Sequence, residues 1–243
     1  MNKNKVAVIS GGTSGIGLAA AKILSDEGWK TVLLGRDKKR GKQAESEVKN
    51  SFFVSCDIRK KKEINQAFLL IKDLGDLYGV ISSAGIYKES LLEYMADEEI
   101  KELFDTNVFG TIQFIKTALP YLKRPGGSIV TVSSDAALRG NVQGSIYSAT
   151  KGAVTAFTRS LALELAVDGV RANVVCPGDV KTPLLERQLK TYGGTLAEME
   201  NWYPLMRIAK PEEVGQVIAF LLSEKSSFVT GAVLPVDGGL TDW

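Results

Sequence analysis

Apolar positions along this 243-residue chain come in short unbroken runs, separated by stretches where they recur every three or four residues. Val6-Ala-Val-Ile-Ser10 reads as a buried strand, and Gly15 to Glu27 as a helix closed by Gly28. The alternation continues with strands at Thr31–Leu34, Phe52–Ser55, Leu77–Ser83, Ser128–Val132, Val170–Val175 and Ala232–Val236. Helices are predicted at Lys38–Asn50, with Asp37 as N-cap, and at Lys60–Asp73, Asp97–Leu122, Ser145–Val167 and Pro211–Leu222. The stretch between the sixth strand and Pro211 reads as irregular. Val/Ile-rich runs without polar alternation suit strands covered on both faces, and helices between them imply parallel order. The predicted fold is α/β: one doubly wound domain over residues 1–243, about seven parallel strands with helices on both faces.

Composition narrows the chemistry. Hydrophobic residues make up 44% of the chain, enough for a sizeable core, yet no run approaches the ~18 apolar residues of a membrane span. Met1 to Lys5 leads directly into the first strand, so the expectation is no signal peptide, no membrane partner and a cytoplasmic protein. Acids and bases are interspersed with a net charge of +2, so no nucleic-acid partner is expected. Cys56 and Cys176 read as small buried thiols, and no metal site is expected from so few ligands. Histidine is absent altogether, which excludes Ser-His-Asp hydrolysis and histidine-ligated metals. Any chemistry must run on Tyr, Lys, Ser, Asn, carboxylates or a cofactor.

Two clusters carry such chemistry. The first strand ends in Ser10-Gly11-Gly12-Thr13-Ser14-Gly15-Ile16-Gly17, a glycine-rich turn entering a helix. Glycines let the backbone bend and approach a ligand, and the helix N-terminus offers free N–H groups to a pyrophosphate. The second cluster is Tyr147-Ser-Ala-Thr-Lys151. Four residues apart on a helix, phenol and ammonium share a face, and a nearby positive charge is expected to lower the tyrosine pKa.

Together these motifs resemble the short-chain dehydrogenase/reductase family, along nearly the whole chain from Val6 to about Gly239. The resemblance rests on Gly11-x-x-x-Gly15-x-Gly17, Asp57, Ser82-Ser83-Ala84-Gly85, Asn107, Ser134, Tyr147-x-x-x-Lys151, Pro177-Gly178 with Thr182, and Val236-Asp237-Gly238-Gly239. It implies a Rossmann-type fold and a catalytic set of Asn107, Ser134, Tyr147 and Lys151. Tyr147 would exchange a proton with the substrate oxygen and Ser134 would hold that oxygen. Lys151 would tune the phenol and bind the nicotinamide ribose, and Asn107 would hold a water linking Lys151 to solvent. The implied cofactor contacts are Gly11, Thr13, Ser14, Gly15, Ile16, Gly17, Arg36, Asp57, Ile58, Ala84, Gly85, Tyr147, Lys151, Pro177, Gly178, Val180 and Thr182. One departure stands out: the family usually has Asn where this chain has Ser82, which puts local strand bracing in question.

The second strand ends Leu34-Gly35-Arg36-Asp37, with glycine where NAD-preferring members carry an acid. A guanidinium there suits a 2′-phosphate, so NADP(H) is expected rather than NAD(H), with Lys38 and Lys39 as auxiliary cations. A substrate lid is expected at about 182–206, carrying Leu184, Leu185, Leu189, Tyr192, Met199, Trp202, Tyr203 and Leu205. The implied function is NADP(H)-dependent interconversion of a ketone and a secondary alcohol on a small-molecule partner. The chain is also similar to 3-oxoacyl-carrier-protein reductases, but Ser128 and Asp168 stand where a carrier-binding entrance would show basic residues. A non-catalytic nicotinamide sensor is a third reading, disfavoured by the retained Tyr147 and Lys151. The helices Asp97–Leu122 and Ser145–Val167, the latter with Ala149, Ala153, Ala156, Phe157, Leu161 and Leu165, are expected to form a homodimer or homotetramer interface.

Overall fold

The computed structural model describes residues 5–242, so the signal-peptide reading of the first residues falls largely outside them. Seven parallel strands form one sheet in the order β3-β2-β1-β4-β5-β6-β7. They are β1 (Lys5–Ser10), β2 (Lys30–Gly35), β3 (Ser51–Ser55), β4 (Asp76–Ser82), β5 (Ser128–Val132), β6 (Arg171–Pro177) and β7 (Val233–Val236). The helices are α1 (Gly15–Asp26), α2 (Lys38–Glu47), α3 (Lys61–Ile71), α4 (Asp97–Leu103), α5 (Thr111–Ala118), α6 (Ser145–Ala166), α7 (Pro183–Tyr192), α8 (Leu196–Glu200) and α9 (Pro211–Leu222). Among the described residues no helix is long and apolar enough to cross a membrane.

Strand pleating divides the core into two layers. Val6, Val8, Val32, Leu34, Val80 and Ile129 pack with Phe68, Phe114, Leu161 and Leu165 on one face of the sheet. Ala7, Ile9, Leu33, Ile81 and Val130 pack with Ala20, Leu24, Val214 and Ile218 on the other. Both faces are therefore covered, which is why the strands read as continuous apolar runs. Phe68 sits fully buried, its ring centroid 5.8 Å from Phe114 and 5.4 Å from Tyr121. Phe68→Ala is expected to cost about 3–5 kcal/mol of unfolding free energy, measurable by denaturant titration, because the cavity cannot close against two other rings.

Three sequence expectations change. The predicted helix Asp97–Leu122 stops at Ala118, two residues before Pro120, whose ring and missing N–H end it. Between α4 and α5 the same helix widens into a π-turn, Phe104–Gly110, which carries Asn107. The stretch read as irregular holds α7 and α8, each started by a threonine N-cap, Thr182 and Thr195. These two helices bury Leu185, Met199 and Tyr203 with Ile208 and Leu240 in a small core of their own.

Ser82 settles the question of bracing. Ser10 Oγ donates to Ser82 Oγ at 3.5 Å and Ser82 Oγ donates to Thr111 Oγ1 at 3.2 Å. A buried chain of hydroxyls ties β1 to β4 and to the start of α5, in place of one amide.

Candidate active site

The sheet order reverses at β1 and β4, so the loops leaving their C-terminal ends diverge and open a crevice. A cavity of about 1110 Å³ fills it, bordered by residues from Gly11 round to Leu240.

One arm of the cavity is built from the β1–α1 turn. Gly11 has φ +69°, and a Cβ there would lie 2.8 Å from the backbone nitrogen of Ala84. Gly15 has φ +54°, and its Cβ would press on Thr182 at 3.0 Å. Ser14 is the N-cap of α1, yet its side chain makes no capping bond, so the first N–H groups of the helix remain open. Thr13, Ser14, Gly15 and Ile16 border the cavity with Gly11; Gly17 does not. A Cβ on Gly17 would meet Gly11 O at 2.5 Å, so this glycine packs the helix onto the turn.

At the far end Arg36, Asp37 and Arg40 border the cavity, whereas Lys38 and Lys39 do not. Asp37 caps α2 as predicted, accepting from Arg40 N at 3.0 Å, and its carboxylate pairs with the Arg40 guanidinium at 3.6 Å. A Cβ on Gly35 would lie 2.7 Å from Thr13 Oγ1, so the position of a ribose-binding acid is closed by Thr13. Asp57 and Ile58 form the adjoining wall with Ala84, Gly85 and Thr106. Arg59 clasps the Asp57 carboxylate, Nη2 donating at 2.6 Å, and holds its pKa below the usual carboxylate value. The Thr106 hydroxyl, buried on this wall, has no hydrogen-bond partner in the protein.

The other arm holds Ser134, Tyr147 and Lys151. Ser133 Oγ donates to Lys151 O at 3.0 Å, and the Thr131 and Thr158 hydroxyls meet at 2.9 Å, so α6 is pinned to β5. That fixes Ser134, just past β5, against Tyr147 and Lys151 on α6, and all three border the cavity. Lys151 Nζ donates to Val132 O at 3.1 Å and lies 5.6 Å from the centre of the Tyr147 ring. Burial lowers the Lys151 ammonium to about 8. Burial likewise pushes the Tyr147 phenol above its ordinary value, with Asp135 and Asp179 adding to the rise and Ser134 opposing it. The expected lowering of the phenol by Lys151 is not found: desolvation of the phenolate sets the direction, and the group that opposes it is Ser134.

Asn107 stands behind the cavity wall and is almost completely buried. Its Oδ1 accepts from Ile86 N at 2.9 Å, and its Nδ2 donates to Ile86 O at 3.0 Å and to Thr150 Oγ1 at 3.2 Å. The side chain clamps the loop after β4 onto α6. Pro177, Gly178, Val180 and Thr182 close the cavity beside Leu184, Leu185 and Met199.

Chain geometry thus supplies glycines at close approach, an uncapped helix start, two guanidinium groups and an orphaned buried hydroxyl along one groove, which fits a dinucleotide. A family model described as Enoyl-(Acyl carrier protein) reductase matches residues 11–241. The chain belongs to the short-chain dehydrogenase/reductase family. It is 39% identical to "Carbonyl reductase family member 4" of Xenopus tropicalis, over 97% of this chain and 98% of the relative. Against "3-oxoacyl-[acyl-carrier-protein] reductase" of Mus musculus the identity is 36%, over 98% of each chain. Among solved structures, an actinorhodin polyketide ketoreductase with NADPH superposes with TM-score 0.92 at 28% identity, covering 100% of this chain and 99% of the other. The chain is an oxidoreductase of this family, which uses a nicotinamide cofactor.

Several wall residues escaped the sequence reading. Arg40 lies one helical turn from Arg36 and was hidden among exposed lysines. Asp135 and Asp179 directly follow Ser134 and Gly178, and adjacency to those motifs was the available signal. Tyr87, two residues past Gly85, packs edge-on against Tyr147 with centroids 4.8 Å apart and against Tyr192 of α7 at 6.3 Å. Both cysteines are buried; burial pushes Cys56, on the cavity wall, up to about 12, so it stays a thiol.

Proposed function

We propose that this protein interconverts a ketone and a secondary alcohol with NADP(H), using Tyr147 as general acid in reduction and general base in oxidation. The observation that carries the reading is a buried phenol bordering the same cavity as the dinucleotide groove. Bound nicotinamide supplies or takes the hydride. The chain does the rest. Ser134 holds the substrate oxygen beside the phenol, and Tyr147 releases its proton as negative charge develops there. Val132 O takes one of the three Lys151 protons, leaving two for the nicotinamide ribose and the proton path. Asn107 acts as a positioning residue that fixes Ile86 and Thr150. Residues 182–206 form the substrate lid, hinged beside Thr182 and latched where Tyr203 Oη donates to Asp179 Oδ2 at 2.7 Å. Arg36 and Arg40 select the 2′-phosphate. A cytoplasmic setting agrees with two unpaired thiols.

The test is loss of reduced-nicotinamide absorbance over a panel of ketones with saturating NADPH or NADH. Ketone-dependent consumption faster with NADPH supports the reading; none with any ketone contradicts it. A pH dependence follows as well. Lys151 is charged below about 8 and neutral above it, while the phenol stays protonated across that range. Reduction is expected to hold steady below about pH 8 and to fall as pH rises through it, read as kcat/KM against pH. A profile flat through that value would remove Lys151 charge from the mechanism.

A carrier-protein reductase is the second reading, favoured by the mouse relative's name. Ser128 is buried, donating to Leu221 O at 2.9 Å, and Asp168 pairs with Arg124, so neither offers a basic docking surface. Assembly as a homodimer or homotetramer is part of the proposal. Leu161 and Leu165 belong to the protein's own core, so the interface falls to exposed Phe109, Ala149, Ala156 and Leu163. Light scattering at micromolar concentration is expected to return a dimer or tetramer mass, and a monomer mass would rule the interface out.

A further inference from the structure

Ser134 has a single hydroxyl proton, and the structure places it on Asp135. Ser134 Oγ donates to Asp135 Oδ1 at 2.8 Å and accepts from Ala136 N at 3.2 Å. To hold a substrate carbonyl, as the proposed function on which this argument rests requires, that proton must turn from Asp135 to the substrate. Asp135 then keeps the nearby Ala136 N–H and the Arg139 guanidinium, whose Nε at 3.6 Å is too far for a hydrogen bond, but no side-chain donor. Its side chain is 14% exposed, so losing its donor there is costly. Asp179, which follows Gly178 and accepts from Tyr203 Oη, borders the same cavity, as does Glu89, which accepts from Tyr87 Oη. Asp135, Asp179 and Glu89 bring hydrogen-bond acceptors to the cavity.

We propose that the substrate carries a hydroxyl on the carbon next to the reacting one, as in a sugar, polyol or α-hydroxy ketone, and that this hydroxyl replaces Ser134 as donor to Asp135. The exchange is one donor for another. Ser134 is freed to serve the carbonyl oxygen, and the largely buried Asp135 carboxylate keeps a hydroxyl donor. The neighbouring hydroxyl makes and breaks no covalent bond; it orients the carbonyl towards Tyr147. Asp179 and Glu89 accept from hydroxyls farther along the molecule. Leu184, Leu185 and Met199 of the lid cover the C–H face of such a substrate. An anionic substrate is repelled by the same groups, and a plain ketone takes from Asp135 its one side-chain hydrogen bond.

The test compares kcat/KM for α-hydroxycyclohexanone with that for cyclohexanone, both with NADPH. A hydrogen bond to a charged group corresponds to roughly tenfold or more, so the wild-type ratio is expected to exceed about ten. In Asp135→Asn, which keeps the shape and removes the charge, the ratio is expected to fall severalfold towards one. Reading a ratio cancels any general loss of activity. A wild-type ratio near one overturns the inference, as does an undiminished ratio in the variant, and either leaves the reductase reading intact. Turnover of neither ketone by wild type, when another ketone of the panel is reduced, overturns the inference alone; the reductase reading falls only when the whole panel fails.

Discussion

Replacing Tyr147 with phenylalanine is expected to lower turnover by about 10²–10⁴-fold, the usual contribution of a positioned general acid, while NADPH binding and fold persist. Only the phenol oxygen is removed. The ring keeps its edge-on packing against Tyr87 and its place near Lys151 Nζ. The wild-type phenol is held protonated by burial, so the proton is in place at neutral pH and leaves only when the substrate oxygen gains charge. Initial rates of the purified variant, with a cofactor titration and a melting curve as controls, give the answer. Turnover within a few-fold of wild type would mean that Tyr147 is not the donor.

Arg36→Asp is expected to shift the NADPH-to-NADH affinity ratio by at least about tenfold, since charge-assisted bonds contribute ~1.5–3 kcal/mol each. A carboxylate at 36 repels the 2′-phosphate and can accept from a 2′-hydroxyl. The structure names the residue that limits the effect. Arg40, not Lys38 or Lys39, borders the cavity beside Arg36, and Asp37 only partly engages it. Arg36→Asp combined with Arg40→Ala should therefore exceed the single change. Titrating both cofactors against wild type and the two variants decides it; an unchanged ratio in the double variant would remove the basis for NADP(H) preference.

Most of the fold was legible because a two-sided parallel sheet writes itself as unbroken apolar runs. β5 and α9 begin and end where the pattern placed them, at Ser128–Val132 and Pro211–Leu222. Failures came where local rules compete. Pro120 lay inside an apolar periodicity that suggested continuation, and the π-turn at Phe104–Gly110 leaves no trace in a period of 3.6. α7 and α8 are short and bury only Leu185 and Met199, so their periodicity is faint. At the site, Ser134, Tyr147 and Lys151, singled out by motif spacing, border one cavity. Charge effects were less legible, since the rise of the Tyr147 pKa depends on how many apolar walls surround it. The link from Ser134 to Asp135 is a matter of rotamer, which spacing does not encode.

The central claim is that this chain moves a hydride between bound NADP(H) and a carbonyl carbon, with Tyr147 supplying the proton. Its most direct test is a single-turnover reaction with NADPH deuterated at the transferable ring position and the ketone found active in the panel. The account predicts deuterium on the carbinol carbon of the product with wild type, and almost none with Tyr147→Phe over the same time. NADPH that binds tightly yet keeps all its deuterium with every ketone would contradict the account and point to a nicotinamide sensor instead.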